Sequence, residues 1–282
     1  MQKIMLPCVL VILLILLFRW RVAGMFYYPD HRVYDTPASL GLKYEAVSFP
    51  SRDGTRLSGW FVPATGKAKG TVIHFHGNAQ NMTAHFAFVS WLPAEGFNVF
   101  VFDYRGYGES QGNPDRDGLY MDSSAAIDHV RSRKDLDKNR LLVFGQSLGG
   151  AQAITAVGGN DKQGIRAVVV EATFFSYRSI VRDKLAAIPL LSWFKAPLSH
   201  LLISNEYSPV DYVATLAPVP LLLVYGTGDE VIPYQHGSLL LERARAPKSF
   251  WRIEGGGHTE AFIDPGSPHR RRLVEFFENA LR

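Results

Sequence analysis

Leu141-Leu142-Val143-Phe144-Gly145-Gln146-Ser147-Leu148-Gly149-Gly150 is the stretch on which the fold turns. Four apolar residues read as a buried strand, and G-x-S-x-G carries it directly into the small-residue run Ala151-Gln152-Ala153. A strand-to-helix turn this tight has no room for side chains beside the serine, which accounts for glycine at 145 and 149. The turn strains the serine backbone and presents its hydroxyl at a helix N-terminus. The backbone N–H of Leu148 then points to where an oxyanion can form. A lone G-x-S-x-G is a weak signal, and its neighbours decide its meaning.

Val72-Ile73-His74-Phe75 reads as a second buried strand, followed by His76-Gly77-Asn78-Ala79. The backbone of that loop can supply a second oxyanion donor, Asn78 or its neighbour Ala79. Leu221-Leu222-Leu223-Val224-Tyr225 ends in Gly226-Thr227-Gly228-Asp229, and Phe250-Trp251-Arg252-Ile253 ends in Glu254-Gly255-Gly256-Gly257-His258. Ser147, Asp229 and His258 therefore occur in that order, each just past the C-terminal end of a strand. Open parallel sheets gather their sites at those ends, which lets residues distant in sequence converge.

These stretches, with Asp53-Gly54-Thr55, Asp103-Tyr104-Arg105-Gly106-Tyr107-Gly108, Ser208-Pro209 and Gly226 to Pro233, resemble the α/β-hydrolase-fold serine hydrolases. Within them the chain is most similar to the small membrane-anchored group of bacterial YfhR-like proteins and related eukaryotic acyl-protein thioesterases. The resemblance runs from about residue 44 to the C-terminus. Gln80 is a departure, standing where the family usually has glycine after the oxyanion loop.

The resemblance implies hydrolysis of an ester or thioester through an acyl-enzyme. His258 would take the Ser147 proton and return it to the leaving group, and Asp229 would fix the imidazole tautomer. The N–H groups of Leu148 and Asn78 would stabilise the tetrahedral oxyanion, each worth on the order of 3 kcal/mol. No cofactor and no metal is implied. The other readings are a prolyl-oligopeptidase-like peptidase, which usually needs a gating domain larger than this chain allows, and a non-catalytic binding module. A haloalkane dehalogenase would need a carboxylate at Ser147.

Other polar residues have plainer readings. His74 and His76 alternate on one strand without a third ligand at metal spacing, which favours packing and loop bracing. Asp103 also follows a strand, and a structural pairing with Arg105 or nearby backbone is expected of it. Arg270-Arg271-Arg272 falls in the periodic pattern of a final helix and reads as a solvated face rather than a nucleic-acid patch.

The chain has 282 residues, 47% hydrophobic and 20% charged with a net charge of +4, which suits one α/β domain with a substantial core. Ile4 to Phe18 is almost wholly apolar, preceded by Lys3 and followed by Arg19 and Arg21. Fifteen residues span roughly 22 Å of helix, short of the bilayer core, but apolar and aromatic residues to Tyr27 extend the run. An uncleaved single-pass anchor is expected over 1–26, with a cleaved signal peptide as the alternative. Arg19, Arg21 and Arg32 beyond the run favour a cytoplasmic catalytic domain. The sole cysteine, Cys8, lies inside this segment and leaves the catalytic domain without disulfides.

Residues 27–43 read as a juxtamembrane connector and 44–282 as the catalytic domain. A hairpin is expected around Asp53-Gly54, then strands at 71–76, 97–102, 140–144, 166–171, 220–225 and 248–253. Helices are expected near 81–95, 120–133 and 234–246, with an elbow helix and a C-terminal helix. This alternation predicts a mostly parallel sheet with helices on both faces. The stretch 173–217 is too long for a connection and predicts a small helical cap over the catalytic face. Its apolar content suits a groove for a lipid-like acyl ester or a face toward lipid.

Overall fold

The computed structural model describes residue 13 and residues 16–282. Most of the expected anchor and Cys8 lie outside the described residues. Residues 16–24 are helical (α1), and no helix among the described residues is long and apolar enough to cross a membrane.

The chain then forms β1 (Tyr28–Pro29), β2 (Glu45–Pro50), β3 (Arg56–Val62), β4 (Gly70–Phe75), β5 (Ala79–Gln80) and α2 (Met82–His85). It continues through β6 (Phe97–Phe102), α3 (Arg116–Ser132), β7 (Leu141–Gln146), α4 (Leu148–Gly158) and β8 (Ile165–Glu171). Four short helices follow, α5 (Tyr177–Ala186), α6 (Pro189–Ser192), α7 (Lys195–Leu202) and α8 (Pro209–Tyr212). The C-terminal part is β9 (Leu221–Gly226), α9 (Gln235–Arg243), β10 (Lys248–Ile253) and α10 (Pro268–Ala280).

Eight strands make one sheet in the order β10-β9-β8-β7-β4-β6-β3-β2. Only β3 runs against its neighbours, forming the expected hairpin with β2; the other described pairs are parallel. This is the α/β-hydrolase architecture. Alternation along the strands sorts the core onto two faces. Ile73, Val143 and Leu223 pack with α3 and α4 residues such as Leu119 and Ile154. Val72, Leu142 and Leu222 pack with Phe86, Leu273 and Phe277 on the other face. After β4 the chain goes out to β6 and returns to β7, so the ends of β4 and β7 lie side by side with Phe75 opposite Gly145. That reversal opens the crevice used below.

Several expectations change in detail. The helix expected over 81–95 is only α2 and a 3₁₀ turn at Phe86–Phe88. Ser90 Oγ and the Trp91 indole donate to the carbonyls of Ala87 and Phe88, occupying acceptors that a longer α-helix would need. Helix α3 starts at Arg116, earlier than expected, because the Asp115 side chain accepts the Gly118 N–H and caps it. The connector is not irregular throughout: β1 pairs in parallel with β5, with Tyr28 opposite Ala79 and Pro29 opposite Gln80.

Asp103 does not pair with Arg105. Its Oδ1 accepts the Met82 N–H at 2.6 Å, whereas Arg105 bonds the buried Asp122 at 2.8 Å and Asp53 at 2.9 Å. Gly118 leaves the space the Arg105 guanidinium occupies beside α3. The arginine run is only partly a solvated face. Arg270 donates to the Phe262 carbonyl and lies over Trp91, while Arg271 and Arg272 are exposed, the latter lying over Trp251.

Candidate active site

Ser147 caps α4 with φ 54° and ψ −119°, a conformation that costs a side chain on the order of 1–3 kcal/mol. The surroundings impose it. Ser147 N–H donates to the Glu171 carbonyl at 2.9 Å, and Thr173 Oγ1 donates to the Ser147 carbonyl at 2.7 Å. A side chain at Gly149 would run into the Phe75 carbonyl, and one at Gly145 into Gly149 itself. Leu148, the first residue of α4, has an N–H without an acceptor inside its own helix.

The acid and the imidazole come together. His258 Nδ1 lies 2.8 Å from Asp229 Oδ2, and because a carboxylate only accepts, Nδ1 is the donor of this bond and Nε2 is left outside it. Asp229 Oδ1 accepts the N–H groups of Val231 and Ile232, both at 2.8 Å, so the carboxylate is held at both oxygens. The glycine loop before His258 is bound to the β9 loop by Gly228 N–H donating to the Gly256 carbonyl at 3.0 Å. Ser147 Oγ makes no hydrogen bond among the described residues and faces a cavity. Catalytic hydrogen bonds are often open without substrate and tighten in the complex.

On the β4 side, Gly77 sits so close to the serine that a Cβ there would lie 3.8 Å from Ser147 Cβ. His76 Nδ1 donates to the Gly77 carbonyl at 2.7 Å, which orients the peptide carrying the Asn78 N–H. The Asn78 carbonyl accepts from the Tyr107 hydroxyl and from the Tyr28 N–H, each at 2.8 Å. Both peptides flanking Asn78 are thereby fixed, and Asn78, Leu148 and Ser147 line one cavity.

That cavity has a volume of about 400 Å³ and an apolar wall. Phe174, Ile180, Leu185 and Leu202 contribute from the cap, and Val22, Met25 and Phe26 from the N-terminal segment. Lys184 is the one charged residue of the lining among the described residues, and its ammonium donates to the Val231 carbonyl at 2.8 Å.

Beneath the site runs a buried polar chain that sequence reasoning missed. His74 Nε2 lies 3.0 Å from Gln146 Oε1, Gln146 Nε2 donates to Glu171 Oε2 at 2.7 Å, and Glu171 Oε1 accepts the Ala261 N–H at 2.9 Å. It joins the strand before the loop at 76–79, the residue before Ser147 and the loop after His258. Burial pushes the Glu171 carboxyl up to about 7, and burial pulls His74 and His85 down to about 3. His74 and His76 thus pack and brace. No cluster of three metal-ligating side chains occurs among the described residues.

The model of the family Hydrolase_4, described as serine aminopeptidase, S33, matches residues 66–214. The protein YfhR of Escherichia coli is 45% identical over 268 residues, 93% of this chain and 89% of that protein. The α/β hydrolase domain-containing protein WAV2 of Arabidopsis thaliana is 31% identical, over 86% of this chain and 81% of its own. Among solved structures, the Pyrococcus furiosus esterase Pf2001 superposes with a TM-score of 0.74 at 22% identity, covering 90% of this chain and 98% of that one. Acetyl xylan esterase 1 from Thermoanaerobacterium gives a TM-score of 0.66 at 18% identity, covering 94% and 93%. The two structural likenesses speak for the fold.

Proposed function

From the chain's membership of the Hydrolase_4 family (serine aminopeptidase, S33), we propose that it is a serine hydrolase cleaving carboxylic esters or thioesters of apolar acyl chains. The observation that carries this reading is the 400 Å³ apolar cavity holding Ser147, Asn78 and Leu148 in its wall. In this reading Ser147 attacks the acyl carbonyl, His258 takes the hydroxyl proton through Nε2, and Asp229 stabilises the imidazolium. The Asn78 and Leu148 N–H groups receive the oxyanion. His258 then protonates the leaving alcohol or thiol, and water deacylates the enzyme by the same base.

A peptidase reading follows from the family's description. An aminopeptidase needs a carboxylate to pair with the free α-amino group of its substrate, and the cavity lining contains none among the described residues. Ester hydrolysis fits the lining better. Fluorophosphonate labelling of the full chain, followed by p-nitrophenyl esters, acyl thioesters and aminoacyl anilides, tests the assignment. Labelling lost in Ser147→Ala and ester turnover exceeding anilide turnover are expected; faster anilide turnover would reverse the assignment.

The apolar run Ile4 to Phe18 is proposed as a membrane tether with the catalytic domain on the cytoplasmic side. What supports association with lipid is a ridge on the cap, where Leu190 is 84% and Trp193 87% exposed. Trp20, 70% exposed, projects from α1, and Arg19 beside it donates to the Leu201 carbonyl of α7 at 2.9 Å. Flotation with anionic vesicles is the test, and Trp193→Ser should weaken it.

A further inference from the structure

Residues 22–30 lie before the catalytic domain as sequence would divide it, yet they reach the nucleophile. Val22, Met25, Phe26 and Tyr28 share the cavity wall with Ser147. Phe26 packs edge-on against Phe174 and Tyr177, with ring centres 5.9 and 4.9 Å away. Past it, the backbone runs alongside the oxyanion loop. Tyr28 N–H donates to the Asn78 carbonyl at 2.8 Å, and Asp30 N–H donates to the Gln80 carbonyl at 3.2 Å.

A two-residue strand pair is marginal by itself, because each hydrogen bond nets only about 1 kcal/mol. This one is clamped further along. The fully buried Asn81 amide donates to Asp30 Oδ1 at 2.8 Å and to the Arg32 carbonyl at 2.7 Å. Gly108 N–H donates to the Asp30 carbonyl at 2.9 Å. The clamp also accounts for Gln80. This residue has φ 62°, a left-handed conformation that glycine adopts freely and a side chain resists. The bonds to Asn78 and Gln80 hold the loop on either side of it.

We infer that residues 22–30 are a working part of the active site: their backbone positions the oxyanion loop, and Val22, Met25 and Phe26 set the acyl-chain length the cavity accepts. The inference rests on the esterase reading above. Tyr28 is a positioning residue, since it acts through the Asn78–Ala79 peptide, whose other donor is the Tyr107 hydroxyl. Val22, Met25 and Phe26 are specificity residues because they meet the chain itself. The segment thereby does more than connect: it supplies part of the cavity wall beside the cap.

The test is steady-state kinetics of the full chain in detergent micelles on p-nitrophenyl esters from acetate to decanoate, with melting temperatures alongside. Met25→Trp is safe for folding, because Met25 is 59% exposed. It should lower the decanoate-to-acetate ratio of kcat/KM at least tenfold, and Val22→Trp should do the same. Phe26→Ala should move the preferred chain longer. Tyr28→Pro removes the N–H and should lower kcat about tenfold on every ester, leaving the chain-length ratio and KM near the parent's; Tyr107→Phe should reproduce that pattern. An active parent whose chain-length profile survives Met25→Trp and Val22→Trp overturns the specificity role. Unchanged kcat in a folded Tyr28→Pro overturns the positioning role. A parent that hydrolyses no ester and resists fluorophosphonate overturns the esterase reading itself.

Discussion

The carbonyl of Glu171 accepts the N–H of Ser147 at 2.9 Å, and the carboxyl of the same residue holds Ala261, three residues past His258. One buried residue therefore ties the Ser147 turn to the His258 loop. Burial raises its folded-state value to about 7, above the ordinary carboxyl value near 4.5. A raised value means that the folded state favours the neutral form. The associated stability is fully present below pH ~4.5 and is lost as the pH rises through 7. The loss amounts to about 3 kcal/mol, since each tenfold change in proton affinity between the folded and unfolded chain is worth about 1.4 kcal/mol. Glu171→Gln should be less stable by a constant amount, since an amide oxygen replaces one of two acceptors, but should lack this slope. Urea midpoints of both chains from pH 4.5 to 8 decide it, and parallel curves would contradict the assignment.

Asp229→Asn separates orientation from folding. Oδ1 can still accept from Val231 and Ile232, which preserves the loop, while the position of Oδ2 acquires an NH₂ that cannot accept from His258 Nδ1–H. The imidazole must then turn or adopt the wrong tautomer. A fall in kcat of about 10⁴-fold is expected, with KM and melting temperature little changed. A loss under tenfold would show that another group orients the base.

The three catalytic candidates were legible because each ends a strand on a glycine-bearing turn, a pattern written in consecutive residues. The central strands were legible for the same reason, being unbroken apolar runs buried on both faces. Contacts made through backbone groups of distant segments left no such trace. Nothing in Tyr28-Pro29 announces a partner at Ala79-Gln80, since two residues carry no period. Glu171 reads as a polar end to Val168-Val169-Val170, and only the fold reveals Gln146 and Ala261 around it. The 81–95 stretch has helical spacing in Met82, Phe86 and Val89, but Ser90 and Trp91 divert its carbonyls.

Asp122 carries structural weight away from the chemistry. It is fully buried and accepts from the Arg105 guanidinium at 2.8 Å and from the Arg105 backbone N–H at 2.8 Å. Asp122→Ala leaves that guanidinium, on a residue 6% exposed, with Asp53 and Ser51 as its side-chain partners among the described residues. Breaking one side of a buried pair costs roughly 3–5 kcal/mol. At about 2–4 °C per kcal/mol for a domain of this size, the melting temperature should drop by on the order of 10 °C. Calorimetry of parent and variant measures it. A drop of under about 3 °C would mean that water replaces the carboxylate.

Ser147 itself stores strain, which yields a stability test independent of any substrate. At φ 54° and ψ −119° a Cβ is unfavourable by roughly 1–3 kcal/mol, and alanine keeps that Cβ while glycine lacks it. Glycine also gives the unfolded chain more freedom, which offsets about 0.5–1 kcal/mol of the relief. Ser147→Ala should match the parent's stability, Ser147→Gly should exceed both by about 1 kcal/mol, and both variants should lose turnover by about 10⁶-fold. Chemical denaturation of the three proteins reads the order directly. A glycine variant no more stable than the alanine one would mean that the elbow holds its shape without strain, and that the close packing of Gly149 on the Phe75 carbonyl, rather than resistance from the serine, defines the turn.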